Sequence, residues 1–344
     1  MEMNDFWFAM YHTYSTKKSF DERALKIFEK DVKFAQEIGI EALVLEDYYT
    51  DWIWGEYTNF WSEKTFRGMV KIVHDYGIKF IPYLDVTELG VHGKVYKRNG
   101  RKWGAKNRWG KIYSAFSSIL LADYYPVDWR TKLMCPSPSS GWFNYLTNQA
   151  HVLLTQYEVD GIYLDRMDYR TTCYDHSKDP AHFIQGIPAL VKSIRDEVKN
   201  TSSKQLLIIN DSCVDPDPPM IKCMKLADFV LTELLPIDTD TTDFNWQFLM
   251  EYGDIIWAFH RLIKPIIKLS TNLSFLSGAM LDPNRLQRII NRLKIHVGQN
   301  IIVFSHRKDY QGFNAIKKIV EKNKLKQGFF PGRKSLRTIK PFFK

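Results

Sequence analysis

Acidic residues follow several short apolar segments that are typical of β-strands. Five successive segments of this kind are each followed by carboxyl side chains, which are Glu46 with Asp47, then Asp85, Asp165, Asp211 and Glu233. Carboxylates that are brought together shift one another's pKa values and cost stability, and a purely structural site has no reason to bear that cost. The reaction most typical of paired carboxyl groups is hydrolysis of a glycosidic bond, by nucleophilic attack together with acid–base catalysis. The acids therefore predict glycosidase chemistry.

Eight apolar segments alternate with segments of helical periodicity. The predicted strands cover residues 6–11, 42–46, 79–84, 161–164, 206–210, 229–232, 265–270 and 301–305, and a last helix covers 309–323. The segments are continuously apolar, as strands are when both faces of a parallel sheet are buried. A doubly wound sheet would have a glycine-rich turn after its first strand, and residues 11–14 contain no glycine. We therefore predict an α/β fold, a (β/α)8 TIM barrel whose strands all end at one mouth.

The chain length of 344 residues suits one such barrel with an insertion. Residues 1–323 are predicted to form this single domain. Residues 86–140, after the third strand, are too many for a simple loop and predict an insertion or lid. Residues 324–344 contain many Lys and Arg and no acid, and predict a basic C-terminal tail.

Composition and charge narrow the range of partners. The formal net charge is +9, but no nucleic-acid-binding motif concentrates it, so no nucleic-acid partner is expected. No apolar segment reaches the roughly 18 residues of a membrane span. The first residues are acidic and polar, unlike a signal peptide, and we expect a cytoplasmic location. The sequence leaves the oligomeric state open.

The predicted mouth has no signature of a metal site. His12 is the only histidine after the first strand, where an amidohydrolase-type barrel has His-x-His, and His306 follows the predicted eighth strand. Two histidines with acids could bind a divalent ion, but their spacing matches no known ligand pattern. The four cysteines, at positions 135, 173, 213 and 223, contain no Cys-x-x-Cys pair. We therefore expect neither a metal nor another cofactor.

Residues 135–166 resemble the fourth-strand region of the glycosyl-hydrolase-like barrels, which are related to the α-amylase and α-galactosidase (melibiase) superfamilies. Residues 157–165 are Tyr-Glu-Val-Asp-Gly-Ile-Tyr-Leu-Asp, and the family pattern is Y-x-V-D-G-I-x-x-D. Ile-Pro-Tyr at residues 81–83 and Thr-Glu at residues 232–233 are also similar, so the resemblance spans predicted strands two to six. It implies that Asp165 is the nucleophile of a retaining glycosidase.

The chain departs from these families in two respects. Two residues before the nucleophile the α-amylase pattern has Arg and the α-galactosidase pattern has Lys, but this chain has Tyr163. The related enzymes usually carry a C-terminal β-sandwich, and few residues follow the last predicted helix here. For the general acid/base, Glu233 matches the strand-six acid of the α-galactosidases and is favoured. Asp211, which matches the strand-five acid of the α-amylases, is the alternative.

Other residues at the predicted strand ends are assigned to substrate binding. Acids would bind sugar hydroxyls or tune the catalytic pair, Arg166 would hold the Asp165 region in place, and aromatic rings would stack on a sugar. The predicted substrate-binding residues are His12, Glu46, Asp47, Tyr49, Trp52, Trp54, Asp85, Arg166, Asp168 and His306. The prediction is a glycoside hydrolase of carbohydrate metabolism with a carbohydrate partner. The alternative is a non-catalytic barrel that binds a glycan or a protein.

Overall fold

The computed structural model describes residues 7–11, 22–45, 54–60, 62–115, 130–210, 217–233, 283–305 and 310–329. The strands in these ranges are β1 Phe8–Tyr11, β2 Ala42–Leu45, β3 Lys79–Asp85, β4 Glu88–Gly90, β5 Thr131–Leu133, β6 Gly161–Asp165, β7 Leu206–Asn210, β8 Phe229–Glu233, β9 Ile301–Ser305 and β10 Lys326–Phe329. The helices are α1 Glu22–Glu37, α2 Glu63–Asp75, α3 Lys94–Trp103, α4 Gly141–Gln156, α5 His182–Thr201, α6 Pro218–Met224, α7 Pro283–Val297 and α8 Tyr310–Asn323.

Eight of the strands form a closed parallel barrel in the order β1-β2-β3-β6-β7-β8-β9-β10. The predicted (β/α)8 barrel is therefore confirmed. All four residues of β2 are buried, because side chains fill the inside of the barrel and helices cover its outside. No helix within the described ranges has the length and apolar character needed to cross a membrane.

The strand that closes the barrel is not one that the sequence analysis predicted. β8 pairs directly with β9, with Val230 opposite Ile301, whereas the sequence analysis predicted a strand between them at residues 265–270. Those residues lie outside the described ranges. The barrel closes instead through β10, which pairs with both β9 and β1. The predicted boundary between the barrel and a basic tail at residue 324 was therefore wrong, because the last strand lies beyond it.

The composition of β10 explains why its sequence does not resemble a buried strand. The ammonium group of Lys326 lies 4.3 Å from the centre of the Trp7 ring, so this charged residue packs on an aromatic face. The Gln327 side chain is buried, and the backbone carbonyl oxygen of Gln327 accepts a hydrogen bond of 3.0 Å from the backbone N–H of Trp7. Gly328 lies opposite Phe8. Polar residues thus occupy positions where the predicted strands have apolar ones.

The insertion after β3 contains a small sheet and a helix. β4 and β5 form an antiparallel pair with Glu88 opposite Leu133, and α3 lies between them in the chain. The indole N–H of Trp142, on α4, donates a 2.8 Å hydrogen bond to the carbonyl oxygen of Val86. The Trp142 ring also packs against Trp103 at the end of α3. These contacts hold the insertion against the helix that follows it.

Candidate active site at the C-terminal end of the barrel

Asp165 is the last residue of β6 and lies at the C-terminal end of the barrel, where the βα loops form the mouth. Its carboxyl group accepts hydrogen bonds from the hydroxyl of Tyr83 at 3.0 Å, the backbone N–H of Arg166 at 2.7 Å and the side-chain amide of Asn210 at 3.1 Å. The side chain is 13% exposed. The donors come from β3, β7 and the loop after β6, and they both orient the carboxylate and stabilise its negative charge.

At the other end of β6 lie Asp160 and Gly161, which are the Asp-Gly of the pattern Y-x-V-D-G-I-x-x-D. One carboxyl oxygen of Asp160 accepts a 2.8 Å hydrogen bond from the backbone N–H of Phe80, which holds the start of β6 to β3. A Cβ atom at Gly161 would lie 2.2 Å from the carbonyl oxygen of Leu206 on β7. Only glycine therefore permits the two strands to approach this closely. The motif fixes β6 between its neighbours and so fixes the position of its last residue.

A guanidinium group lies between two carboxylates beside this strand end. Nε of Arg166 is 3.9 Å from Oδ2 of Asp165 and 3.9 Å from Oε1 of Glu88. The backbone of Arg166 has a φ of 58°, which is strained for a residue with a side chain, and Thr87 Oγ1 donates a 2.7 Å hydrogen bond to its carbonyl oxygen. Burial alone would lower the pKa of Arg166, but the negative charges of Asp165 and Glu88 raise it.

Glu88 connects the insertion to the loop after β6. Its carboxyl group is fully buried and accepts hydrogen bonds from the hydroxyl of Thr131 at 2.7 Å and the hydroxyl of Tyr169 at 2.5 Å. Burial, followed by the charge of Glu88, raises the pKa of Tyr169, so its hydroxyl stays protonated and donates. The sequence analysis assigned no role to Glu88, because the three-residue strand β4 has no recognisable pattern.

Asp85 ends β3 as predicted, but its side chain has no exposed surface. One carboxyl oxygen accepts hydrogen bonds of 2.9 Å from the backbone N–H groups of Thr87 and Glu88, and the other has no hydrogen-bond partner among the described residues. Burial raises the pKa of Asp85 well above its usual range, and the charges of Glu88 and Asp165 add to this effect. This geometry supports a neutral carboxyl group that holds a turn, and not the predicted contact with a sugar.

Tyr163 occupies the position where the related families have Arg or Lys. Its side chain is fully buried, and its ring centre lies 5.7 Å from that of Tyr83, its register partner on β3. The cation beside Asp165 is instead Arg166, the residue that follows it. A positive charge is thus kept near the aspartate although the position two residues earlier holds an aromatic ring.

The other predicted site residues differ in what the structure describes. Trp54 is 6% exposed, so its ring is covered and cannot stack on a sugar in this arrangement. Asp168 is half-buried in the loop after β6. Glu233 ends β8, with its backbone opposite Phe304 of β9, and its side chain lies outside the described part of the chain. Also outside the described ranges are His12, Glu46, Asp47, Tyr49, Trp52, Asp211 and His306.

The closed parallel barrel of eight strands, with helices between them in the chain, places the protein in the class of (β/α)8 barrels. Residues 5–214 match the model of the family described as Domain of unknown function (DUF6259), and the chain belongs to that family. No curated protein matches the sequence.

Several solved structures share the fold. A cycloisomaltooligosaccharide glucanotransferase from Paenibacillus sp. is 16% identical with a TM-score of 0.56, and the match covers 87% of this chain and 38% of that one. The α-galactosidase TtGalA from Thermus thermophilus is 10% identical with a TM-score of 0.55, over 100% and 66% of the two chains. A trehalose-6-phosphate hydrolase from Bacillus licheniformis is 11% identical with a TM-score of 0.54, over 95% and 64%. The chain thus spans between 38% and 66% of the length of these proteins.

Proposed function

We propose that the protein is a retaining glycoside hydrolase in which Asp165 is the nucleophile. The observation that carries this proposal is the setting of the Asp165 carboxyl group, which is partly exposed at the barrel mouth and hydrogen-bonded to Tyr83, Arg166 and Asn210. A carboxylate nucleophile must be ionised and must be held in one orientation toward the anomeric carbon. The three donors and the nearby guanidinium group serve both requirements.

The carbohydrate substrate is proposed from the named structures that share the fold. The glucanotransferase was solved with cycloisomaltoheptaose and the α-galactosidase with stachyose, which are both oligosaccharides. Identities of 10% and 16% support the fold only, so the sugar recognised by this chain is a separate question. Tyr163 is a second reason not to transfer the sugar from the related families, because both of them have a cation, Arg or Lys, at this position. We therefore propose a glycosidic bond as the substrate class and leave the sugar to experiment.

The general acid/base in this proposal is Glu233, with Asp211 as the alternative. Glu233 ends β8, which lies two strands from β6 in the barrel, with β7 between them. Two strand spacings amount to about 10 Å between backbones, and inward-leaning side chains can reduce this to the roughly 5–5.5 Å between carboxyl groups in retaining enzymes. Asp211 follows β7, the immediate neighbour of β6.

The first experiment measures aryl alcohol release from a panel of aryl α- and β-glycosides. It compares the wild type with Asp165→Asn and with Asp196→Asn, a matched control at an exposed aspartate on α5. We expect turnover by the wild type and by the control, and a loss of at least about a thousandfold in Asp165→Asn. Circular dichroism checks that each variant is folded. Equal turnover by Asp165→Asn and the wild type would contradict the assignment.

The second experiment identifies the nucleophile covalently. The 2-deoxy-2-fluoro glycosyl fluoride of the sugar found in the panel should add one glycosyl group to the wild type, and digestion should place it on the peptide that contains Asp165. Proton NMR of the first product should show retained anomeric configuration. An inverted product would show that Asp165 acts without forming a covalent intermediate.

The non-catalytic alternative has its own result. A barrel that only binds would turn over no glycoside, and a glycan array or calorimetry would give the same affinity for the wild type and Asp165→Asn. A ligand that binds tightly to both proteins, with no product after prolonged incubation, would replace the enzyme proposal with this alternative.

A further inference from the structure

Two cysteines and two histidines converge outside the group of residues around Asp165. Their ligand atoms, one from each side chain, all lie within 4.8 Å of one another, and three of the four residues are buried. They come from the segment between β5 and α4, from the loop after β6, and from the first residue of α5. This group is called the Cys/His cluster, and it consists of Cys135, Cys173, His176 and His182.

Backbone carbonyl groups hold both imidazole rings of the cluster in one tautomer. Nε2 of His176 lies 2.6 Å from the carbonyl oxygen of Lys102, and Nδ1 of His182 lies 2.5 Å from that of Asp179. A carbonyl oxygen only accepts, so in each neutral ring the nitrogen at the carbonyl carries the hydrogen and the other nitrogen presents a lone pair. Histidines that bind metals are oriented by hydrogen bonds of this kind.

The two remaining ring nitrogens are the ones available to a ligand. Nδ1 of His176 lies 3.5 Å from Sγ of Cys173. Nε2 of His182 is buried and has no hydrogen-bond partner in the part of the chain that the structure describes. His176 also has a φ of 68°, a strained backbone that persists only when its surroundings enforce it. The buried lone pair of His182, which has no donor among the described residues, points to a ligand at this place.

We propose that the Cys/His cluster is a structural Zn²⁺ site. Two thiolates and two imidazoles form a tetrahedral S2N2 ligand set, which is typical of structural zinc and leaves no open position for a substrate. With Zn–S near 2.3 Å and Zn–N near 2.0 Å, neighbouring sulfur and nitrogen ligands lie about 3.5 Å apart. The separation between Sγ of Cys173 and Nδ1 of His176 already has this value, and no two of the four ligand atoms are more than 4.8 Å apart.

The electrostatics of the cluster suit a divalent cation. Zn²⁺ binds cysteine as the thiolate, so Cys135 and Cys173 would both be deprotonated in the complex. When Zn²⁺ binds, the two thiols together release two protons to solvent. Two thiolates then balance the charge of the ion, so no net charge is left buried.

The site would fasten the insertion to the loop that follows Asp165. A Cβ atom at Gly186, on the second turn of α5, would lie 2.7 Å from the backbone nitrogen of Ser137, so α5 approaches the segment after Cys135 as closely as backbones allow. The same loop carries Arg166 and Tyr169, which contact the carboxylates at the mouth. The zinc proposal does not depend on glycosidase activity, because the Cys/His cluster shares no residue with the catalytic groups.

The primary test is metal content, measured on the full chain without a histidine tag. The protein is expressed with added zinc and dialysed against metal-free buffer. Inductively coupled plasma mass spectrometry should then find about one zinc ion per wild-type chain. Cys173→Ser and His182→Gln should each contain well under half of that amount. Cys223→Ser is the matched control, because it removes a buried thiol on α6 outside the cluster and should keep the zinc.

A second measurement on the wild type avoids variants that fail to fold. A strong chelator should lower the melting temperature, and Zn²⁺ but not Mg²⁺ should restore it. Cobalt(II) in place of zinc should give the charge-transfer absorption of thiolate ligands. A wild-type chain that retains no metal would overturn the proposal. This holds if Cys135 and Cys173 are found as two free thiols, and equally if the intact mass shows a disulfide between them.

Discussion

Asp85 and Asp165 are register partners at the ends of the neighbouring parallel strands β3 and β6, and their carboxyl groups have opposite environments. Asp85 is fully buried, which raises its pKa, and one of its oxygens holds the turn into the insertion. Asp165 is partly exposed and accepts three hydrogen bonds. Residues of one type at equivalent positions thus differ in exposure and in hydrogen bonding, because the insertion covers the end of β3 and leaves the end of β6 partly open.

Tyr83→Phe tests the support that Asp165 receives from β3. Burial and the charge of Asp165 raise the pKa of Tyr83, so its hydroxyl stays protonated and donates to the carboxylate. A hydrogen bond to a charged group contributes about 1.5–3 kcal/mol, so kcat/KM should fall by about 10- to 100-fold. The acid limb of the pH profile should move to higher pH, since the ionised carboxylate loses a donor.

The exposed tyrosine Tyr174 provides the control for this change. Tyr174→Phe also removes one phenolic hydroxyl and should leave both kcat/KM and the pH profile unchanged. An unchanged acid limb in Tyr83→Phe would show that the hydroxyl does not stabilise the reacting carboxylate.

Asp85→Asn should change how stability depends on pH. The pKa of Asp85 is raised in the folded protein, so the folded state binds a proton more tightly than the unfolded state, whose value is near 3.8. Wild-type stability should therefore fall as pH rises from about 3.8 to the folded pKa, because Asp85 ionises in the unfolded state while it keeps its proton in the folded state. The amide of Asn keeps an oxygen for both backbone N–H groups and does not ionise.

Urea unfolding of both proteins between pH 4 and pH 8 measures this effect. The free energy of unfolding of Asp85→Asn, relative to that of the wild type, should rise with pH across the window. A difference that stays constant with pH would contradict a raised pKa at Asp85.

Arg166→Ala and Glu88→Gln form a double-mutant cycle at the mouth. Removing the guanidinium group leaves the buried Glu88 carboxylate without its neighbouring cation, which should cost about 3 kcal/mol in the free energy of unfolding. In the Glu88→Gln background the same change should cost clearly less, because no buried charge remains there. Equal costs in the two backgrounds, measured by urea unfolding, would show that the 3.9 Å pair is not coupled.

His74 should contribute stability at low pH. A hydrogen bond and ion pair with Asp160 raise the pKa of His74 above 6.5, against the opposing effect of burial. The contribution is therefore fully present below about pH 6.5 and is lost as pH rises through the folded pKa. The wild type should lose stability relative to His74→Gln between pH 6 and pH 9 in urea unfolding. His151→Gln, at a half-exposed histidine paired with Glu197, serves as a comparison outside this pair.

Gly161→Ala should destabilise the barrel strongly. The new methyl group would lie 2.2 Å from the carbonyl oxygen of Leu206, so β6 and β7 must separate or shift. The free energy of unfolding should fall by about 3 kcal/mol. This is at the upper end of the range for substitutions that add volume to a packed interior, because the atom in the way belongs to the backbone. Thermal and urea unfolding measure the loss, and a wild-type stability would show that the strands can move apart at little cost.

Most of the barrel could be predicted because its strands have local signals. The ends of β3, β6, β7 and β8 fall within one residue of the predicted ends, since each is a continuous apolar segment followed by a polar residue. β10 could not be predicted in this way. Lys326 and Gln327 become strand residues only through packing on Trp7 and pairing with β1 and β9, which are contacts across the chain.

The sequence by itself determined the alternation of strands and helices, the acids at the strand ends and the motif that contains Asp165, because these patterns depend on residues close together in the chain. Only the tertiary structure decided that Asp85 is buried and Asp165 partly exposed, that Arg166 is the cation between two carboxylates, and that Cys135 lies near Cys173. Burial and ligand geometry depend on segments distant in sequence that pack together, and local spacing carries no record of that packing.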